Sequence, residues 1–527
     1  MKKILVADKL ADAGVNFLNE QEGIQLHIEV GMTPEQLCAS IGEYDALLIR
    51  SDTKVTAEVL KAATNLKLVG RAGIGVDNID IPAATEQGVI VMNTPDSNAT
   101  TTAELAIAHI FSLSRHLPKA DASIRAGKWE RSKLMGAEVS HKTLAILGFG
   151  TIGRIVARKA VGLNMRVIAY DPFVAPDIFT ECGAESVSLD ELVSQADYLS
   201  LHCPVIEQTR NIIGKAQLAM MKPSARIINC ARGGLIDEAA LYDALESNAI
   251  AGAALDVYAQ EPPKDSPLLG LDNIVFTPHL GASTKEAQVA VSVEIARQAV
   301  TFLKTGEAVN ALNLPRLSAE ELRKSAPFMD LASSLGKVLA GLATAPIERL
   351  EVALLGKAAA LENRPVSVAA LVGLLSGKVS TPVNSVNAEN IAKRQGIALT
   401  ESKTDVISGY EALVEVTAYY ADEQVKLVGT LLGDKHPRIV SINECEIEVI
   451  PEGILLMTQH ADKPGVIAAI STILGQANVN ISRMQMGAEA TQDAMAVMSI
   501  SEKLSAELLQ KVCDIAAVKS AIQIELA

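Results

Sequence analysis

A chain of 527 residues, 49% apolar and 21% charged, has the balance of a globular protein and is too long for one hydrophobic core, so three or four domains are expected. A formal net charge of −15 argues against a general nucleic-acid binder, although it leaves room for a small basic pocket. Six dispersed cysteines (Cys38, Cys182, Cys203, Cys230, Cys445, Cys513) without a CxxC pair argue against a disulfide scaffold and against a zinc site, so no metal is expected.

The N-terminus, MKKILVADKL, carries too short an apolar run for a signal peptide, and no stretch approaches a charge-free transmembrane span. A cytoplasmic protein without membrane or nucleic-acid partners is expected. From there to about residue 310, short Val/Ile/Leu-rich runs alternate with helical patterns. The runs are Lys3–Asp8, Ala46–Arg50, Lys67–Ala72, Val89–Thr94, Thr143–Gly148, Arg166–Asp171, Tyr198–Pro204, Ala225–Arg232, Ala253–Tyr258 and Ile274–Pro278. Such runs read as buried parallel strands, too many for one comfortable sheet, so two doubly wound α/β lobes are expected. Thr100–Leu113 reads as a long apolar helix bridging them. Leu312–Ala326, with Pro315 and a charged cluster, reads as a linker into an α+β region, in which Ala412–Tyr419 alternates like a strand. From Ile454 the rhythm is βαββαβ: strand Ile454–Gln459, helix Val466–Gln476, strands near Ile481–Met486 and Ala494–Ser499, a helix near Ser505–Cys513 and a strand near Ala521–Glu525. That order is ferredoxin-like.

The run TLAILGFGTIG places Gly148, Gly150 and Gly153 between an apolar strand and a helix at Arg154–Val161, and Asp171 ends the next strand. A first glycine permits a tight turn, a second lets the backbone approach a pyrophosphate, and a third allows close helix–strand packing. The helix N-terminus favours phosphate, and an acidic residue here accepts from ribose hydroxyls. GxGxxG alone also marks ordinary turns; strand, helix and acid together point to a dinucleotide. No basic residue follows Asp171 in Pro172-Phe173-Val174, so NAD is expected over NADP.

Three later strand ends carry polar residues: Asn229–Gly234 (NCARGG), Asp256–Pro263 (DVYAQEPP) and Thr277–Thr284 (TPHLGAST). Oxidising a 2-hydroxy acid requires a base near neutral pH, a carboxylate to orient it and a cation for the substrate carboxylate. His279, Glu261 and Arg232 fit those roles in turn. Singly, each has a bland reading as a core histidine, a helix-entry residue or a surface ion pair. His202 reads as structural and His109 as packing.

Together with GRAGIGVDNID and NTPDSNATTTAELA, these motifs identify residues 1–312 as similar to the D-2-hydroxyacid dehydrogenases, and the tail resembles the long form of that family. The resemblance implies a substrate lobe of residues 1–96 completed by 283–312, an NAD lobe at 97–282, an intervening allosteric or anion-binding domain at 313–452 and an ACT regulatory domain at 453–527. It assigns Arg232, Glu261 and His279 as the catalytic set. It places cofactor contacts at Thr151, Ile152, Asp171, Cys203, Cys230, Ala231, Arg232, Asp256, His279, Gly281 and Ala282, and at Ile74. It implies oxidation of 3-phospho-D-glycerate to 3-phosphohydroxypyruvate, the first step of L-serine biosynthesis. A glyoxylate or hydroxypyruvate reductase shares the catalytic motifs but usually lacks the tail. A non-catalytic NAD-sensing regulator on this fold would need a docking surface that the sequence does not identify.

A phosphorylated substrate calls for cationic side chains. The candidates are Arg50-Ser51 at a strand end, Arg71 and Gly73 in the GRAGIG loop, Asn98, and the basic loop with Trp129, Arg131 and Lys133. That loop reads by itself as a solvated turn. In similar enzymes it lies near a subunit interface and reaches a neighbouring active site. A homotetramer is expected. In the tail, His460, Asp462 and Asn480 resemble the serine-binding residues of ACT domains, implying L-serine as a feedback effector. Some family members carry asparagine at the position of Asp462, and the bland alternative is a pure dimerisation module. Lys393-Arg394 and Lys435–Arg438 are the basic clusters of the intervening region and read as solvated turns.

Overall fold

The computed structural model describes all residues except 96, 316, 380, 407–408, 422, 434, 444, 489–492 and 527, so the expected lobe boundary at residue 96 lies outside the described residues. The first sheet contains β1 (Lys2–Val6), β2 (Ile24–Ile28), β3 (Ala46–Ile49), β4 (Leu68–Arg71) and β5 (Ile90–Asn93), all parallel, in the order β2-β1-β3-β4-β5. Alternate residues feed opposite faces: Leu48, Leu68 and Met92 enter one apolar core, while Leu47, Val69 and Val91 enter the other. Burial on both faces explains why these strands read as continuous apolar runs.

The second sheet contains β6 (Thr143–Leu147), β7 (Arg166–Tyr170), β8 (Ala184–Ser186), β9 (Tyr198–Leu201), β10 (Arg226–Asn229), β11 (Gly252–Leu255) and β12 (Ile274–Phe276). All are parallel, in the order β12-β11-β10-β9-β6-β7-β8. The strand order reverses between β6 and β9, which opens a crevice at their carboxyl ends. The ten expected strands are present, and each stops short of its expected end where the chain turns into a polar loop. Two strands were not foreseen, β2 and β8. Both are edge strands whose exposed positions dilute the apolar signal.

The chain crosses between the sheets twice. The helix Ala99–Arg115 starts at the first crossing and buries Ala103, Ala106 and Ile110 in the core of the second sheet. The helix Lys285–Thr305 follows the return crossing and buries Val291, Ile295 and Ala299 against the first sheet. The crossings are pinned together, because Thr102 Oγ1 donates to the Gly281 carbonyl at 2.8 Å and Thr101 Oγ1 lies 3.3 Å from Thr284 Oγ1.

The expected linker 312–326 is mostly helical. The helix Ala319–Leu342 begins within it, started by a capping box in which Ser318 and Glu321 satisfy each other's backbone amides, and it contains Pro327. It buries Leu331, Leu335, Val338 and Leu339 with the inner residues of a third, mixed sheet. That sheet contains β13 (Arg349–Gly356), β14 (Ala398–Thr404), β15 (Ala412–Tyr420), β16 (Glu423–Leu432), β17 (His436–Ile442) and β18 (Cys445–Val449), in the order β14-β13-β15-β16-β17-β18.

A fourth, antiparallel sheet orders β19 (Gly453–Ala461), β20 (Ile481–Ala488), β21 (Asp493–Ile500) and β22 (Val518–Leu526) as β20-β21-β19-β22. With the helices Val466–Gln476 and Ala506–Cys513 it makes the expected βαββαβ unit. Leu456 packs under those helices, whereas Leu455 and Met457 join the core of the third sheet. Among the described residues no helix is long and apolar enough to cross a membrane.

Candidate active site

The glycine-rich turn follows β6. Gly148 has φ +92°, and a Cβ there would lie 2.7 Å from the amide nitrogen of Cys203. A Cβ on Gly153 would lie 2.3 Å from the Gly148 carbonyl. Gly150, the N-cap of the helix Thr151–Gly162, faces open space, with nothing within 4 Å of its Cβ position. Two glycines therefore permit close backbone packing, and the third leaves an approach to unpaired amides. These residues fit a dinucleotide's pyrophosphate.

Asp171 accepts from the backbone amides of Phe149 (2.8 Å) and Phe173 (3.0 Å), which fixes its carboxylate beside this turn. Burial raises the Cys203 thiol to about 11 and pushes the Cys230 thiol up as well, so both stay neutral at ordinary pH. His202 donates or accepts through Nε2 at Ser200 Oγ (2.8 Å), and burial lowers it to about 4. A cavity of about 470 Å³ adjoins Thr151 and is lined by Asn93, Pro95, Asn310, Pro315 and Ser318 among others.

The loops after β10, β11 and β12 interlock. A Cβ on Gly233 would lie 1.8 Å from the Tyr258 carbonyl, so only glycine fits there. Tyr258 Oη donates to the Thr277 carbonyl at 2.8 Å. Asp256 is fully buried. Its carboxylate accepts from Thr277 Oγ1 (2.6 Å) and from the amides of Leu280 (2.7 Å) and Gly281 (2.9 Å). This explains how His279 is held at φ +55°, a conformation that side-chain-bearing residues rarely adopt. His279 Nδ1 lies 2.8 Å from Glu261 Oε2, and Glu261 Oε1 accepts from the Tyr258 amide at 3.2 Å. His109, buried in the helix Ala99–Arg115, meets Thr277 Oγ1 at 3.1 Å, and burial lowers its titration.

Arg232 reaches across to the first sheet. Its Nε donates to Asp77 Oδ2 at 2.9 Å, and its Nη2 lies against Gly75, where a Cβ would be 1.6 Å away. Arg71 packs under the same loop, its Nη1 2.2 Å from the Cβ position of Gly73. Burial, reinforced by Arg232 and Arg50, lowers Arg71 to about 10, while Asp77 and Asp8 oppose the shift. Arg71 thus feels the positive charge of both Arg232 and Arg50, an arrangement that an anion would relieve. The loop itself is held by Asn93 Nδ2, which donates to the Ile74 carbonyl at 2.6 Å. Arg71 Nε, Thr94 Oγ1 and Asn98 Oδ1 are buried without hydrogen-bond partners among the described residues. Such groups are costly unless a ligand or water satisfies them.

Sequence reasoning missed Asp8. It is buried at the end of β1 and accepts from the amides of Arg50 (2.6 Å) and Thr53 (3.2 Å) and from Thr53 Oγ1 (2.6 Å), which shapes the Arg50-Ser51 turn. A lone aspartate closing an apolar run was the available signal. Trp129, Arg131 and Lys133 lie on an exposed segment apart from this arrangement. Trp129 is 83% exposed, and Lys133 pairs with Glu130 at 3.0 Å. Around the fourth sheet, His460 is buried with Nε2 unpartnered among the described residues, Asp462 is exposed, and exposed Asn480 donates its backbone amide to Ser501 Oγ at 3.0 Å.

A family model for the D-isomer specific 2-hydroxyacid dehydrogenase NAD binding domain matches residues 107–281, and one for the D-3-phosphoglycerate dehydrogenase intervening domain matches residues 324–443. The chain is 41% identical to the D-3-phosphoglycerate dehydrogenase of Synechocystis over 100% of its own length and 95% of that protein. It is 39% identical to the enzyme of that name from Methanocaldococcus jannaschii over the full length of both. Among solved structures, a glyoxylate reductase from Paecilomyes thermophila aligns with 59% of this chain and 98% of its own, at 32% identity and a TM-score of 0.55. Full-length similarity through the tail, beyond the region shared with that reductase, places the chain in the D-3-phosphoglycerate dehydrogenase family.

Proposed function

We propose that this chain oxidises 3-phospho-D-glycerate to 3-phosphohydroxypyruvate, with NAD as hydride acceptor, at the cleft between the two parallel sheets. The observation that carries the reading is the His279–Glu261 pair at 2.8 Å, on loops interlocked with the one that presents Arg232. NAD, when bound, supplies the site that takes the hydride from C2. His279 takes the hydroxyl proton through Nε2 as the carbonyl forms, since Nδ1 is committed to Glu261. Glu261 keeps that ring in one orientation and stabilises the imidazolium. Arg232 takes the substrate carboxylate. Gly150 and the first turn of the helix Thr151–Gly162 hold the pyrophosphate, and Asp171 takes the ribose hydroxyls.

Arg50 and Arg71 meet the remaining negative charge of a phosphorylated substrate. Steady-state assays with 3-phosphoglycerate, glyoxylate and hydroxypyruvate test the reading. A kcat/KM for the phosphorylated pair below that for glyoxylate would reassign the chain to the reductases. We further read the chain as a cytoplasmic homotetramer. Leu117, Ile124, Trp129 and Met135 are exposed apolar side chains on one short stretch, in keeping with a subunit contact that carries Trp129, Arg131 and Lys133 to a neighbouring cleft. Sedimentation of the purified protein checks that assembly. L-serine is the proposed effector at His460, Asp462 and Asn480. The support is the buried His460 Nε2, which has no partner among the described residues and lies six residues ahead of the helix Val466–Gln476 in the chain.

A further inference from the structure

The ion pair between Arg232 and Asp77 spans the two sheets: Arg232 follows β10, and Asp77 lies in the loop after β4. The Arg232 side chain is 29% exposed, whereas that of Asp77 is 77% exposed. Two of the three guanidinium nitrogens of Arg232 are committed: Nε donates to Asp77 at 2.9 Å, and Nη1 donates to the Ala231 carbonyl at 2.7 Å. Nη2 has no hydrogen-bond partner among the described residues and lies against Gly75. The plane of the fork is therefore set before any anion arrives. Asp77 also opposes the lowering of Arg71 that burial, Arg232 and Arg50 produce.

We propose that Asp77 is a positioning residue for the oxidation. It anchors the Nε of Arg232 from the opposite lobe, so that the fork meets the substrate carboxylate already oriented and with the lobes drawn together. An arginine on a flexible stem otherwise loses rotational freedom when it binds, and a misplaced fork slows a reaction that depends on alignment. Arg71 is half-buried beneath the same loop, with its Nη1 against Gly73. The inference rests on Arg232 being the carboxylate-binding residue.

A double-mutant cycle tests both statements. Arg232→Ala, Asp77→Ala and the double variant are compared for kcat/KM with 3-phosphoglycerate, for NADH affinity by fluorescence and for Tm. Asp77→Ala is expected to lower kcat/KM about tenfold or more, mainly through KM for the hydroxy acid, with NADH affinity and Tm unchanged. Added to Arg232→Ala, it is expected to cost nothing further. Asp77→Asn, which keeps an acceptor for Nε, is expected to recover most of the loss. If Arg232→Ala is crippling while Asp77→Ala stays within about twofold of the parent, the positioning role is wrong and the assignment of Arg232 stands. If the two losses multiply in the double variant, Asp77 acts independently and the proposal also fails. If Arg232→Ala itself is near the parent, the underlying assignment falls, and the role of Asp77 with it.

Discussion

The side-chain amide of Asn384 donates to the backbone carbonyl of Gly88 at 2.8 Å, joining the segment before the helix Ala388–Arg394 to the loop that feeds β5. Val386 beside it is buried in the core of the first sheet, and Arg394 lies 3.7 Å from Glu86. The basic pair Lys393-Arg394 is exposed, as a solvated reading expects, but it ends a helix instead of forming a turn, and Arg394 faces Glu86 in a surface ion pair. Asn313 grips the same loop, accepting from the Val91 amide and donating to the Val89 carbonyl.

Asn384→Ala should loosen this joint by about 0.5–1.5 kcal/mol, the usual net worth of a hydrogen bond, because Asn384 itself is exposed. Hydrogen exchange should then accelerate in segments 84–93 and 382–394 and stay unchanged in the second sheet. Gly88→Ala should do the same, since Gly88 has φ +72° and its Cβ position is 2.5 Å from Asn384 Nδ2. Unaltered exchange in both variants would mean the contact carries no stability.

His279→Ala should reduce kcat by about 10²–10⁴-fold with NADH binding nearly intact, because the imidazole is asked only to move a proton. Glu261→Gln should lose less, since the amide can still orient the ring through its oxygen while the stabilising charge is gone. Stopped-flow hydride transfer measures both. Turnover near the parent in His279→Ala would remove the base from this site.

Arg50→Ala should raise KM for 3-phosphoglycerate far more than KM for NAD. Asp8→Asn should give a milder version of the same defect, because Asp8 shapes the turn that carries Arg50 through three hydrogen bonds. Equal changes in both KM values would point to a general disturbance of the lobe instead of a phosphate site.

Acid should destabilise the chain partly through His202. Its folded pKa is held down at about 4 by burial, whereas an unfolded histidine titrates near 6.5. Above that higher value neither state binds the proton, and the contribution is fully present. As pH falls from about 6.5 towards 4 the unfolded chain gains the proton first, and stability is lost. His202→Gln should therefore lose less Tm than the parent between about pH 7.5 and 5, as read by calorimetry. Parallel curves would sink the idea.

Millimolar L-serine should lower turnover several-fold, in line with coupling energies of about 1–3 kcal/mol between distant sites. Asn480→Ala should blunt that inhibition and leave uninhibited turnover alone. Calorimetry on the parent protein comes first. Absence of binding there would leave the fourth sheet as a packing or assembly unit.

Ten of the twelve strands of the two parallel sheets and the turn at Gly148–Gly153 were legible in the linear sequence, which also offered Arg232, Glu261 and His279 as candidates. Each depends on local chemistry: a buried strand is a run of apolar residues, and a phosphate turn is three glycines at fixed spacing between strand and helix. The edge strands β2 and β8 and the helix around Pro327 escaped notice because their residues carry weak or opposing local signals that tertiary packing overrides. What folding alone decided is partnership across long separations. Nothing local ties Asp77 to Arg232, Asn384 to Gly88, or Asp8 to the backbone of Arg50. Aspartate and asparagine occur in turns and caps everywhere, and only the docking of separate elements brings these carboxylates and amides to the donors and acceptors they satisfy.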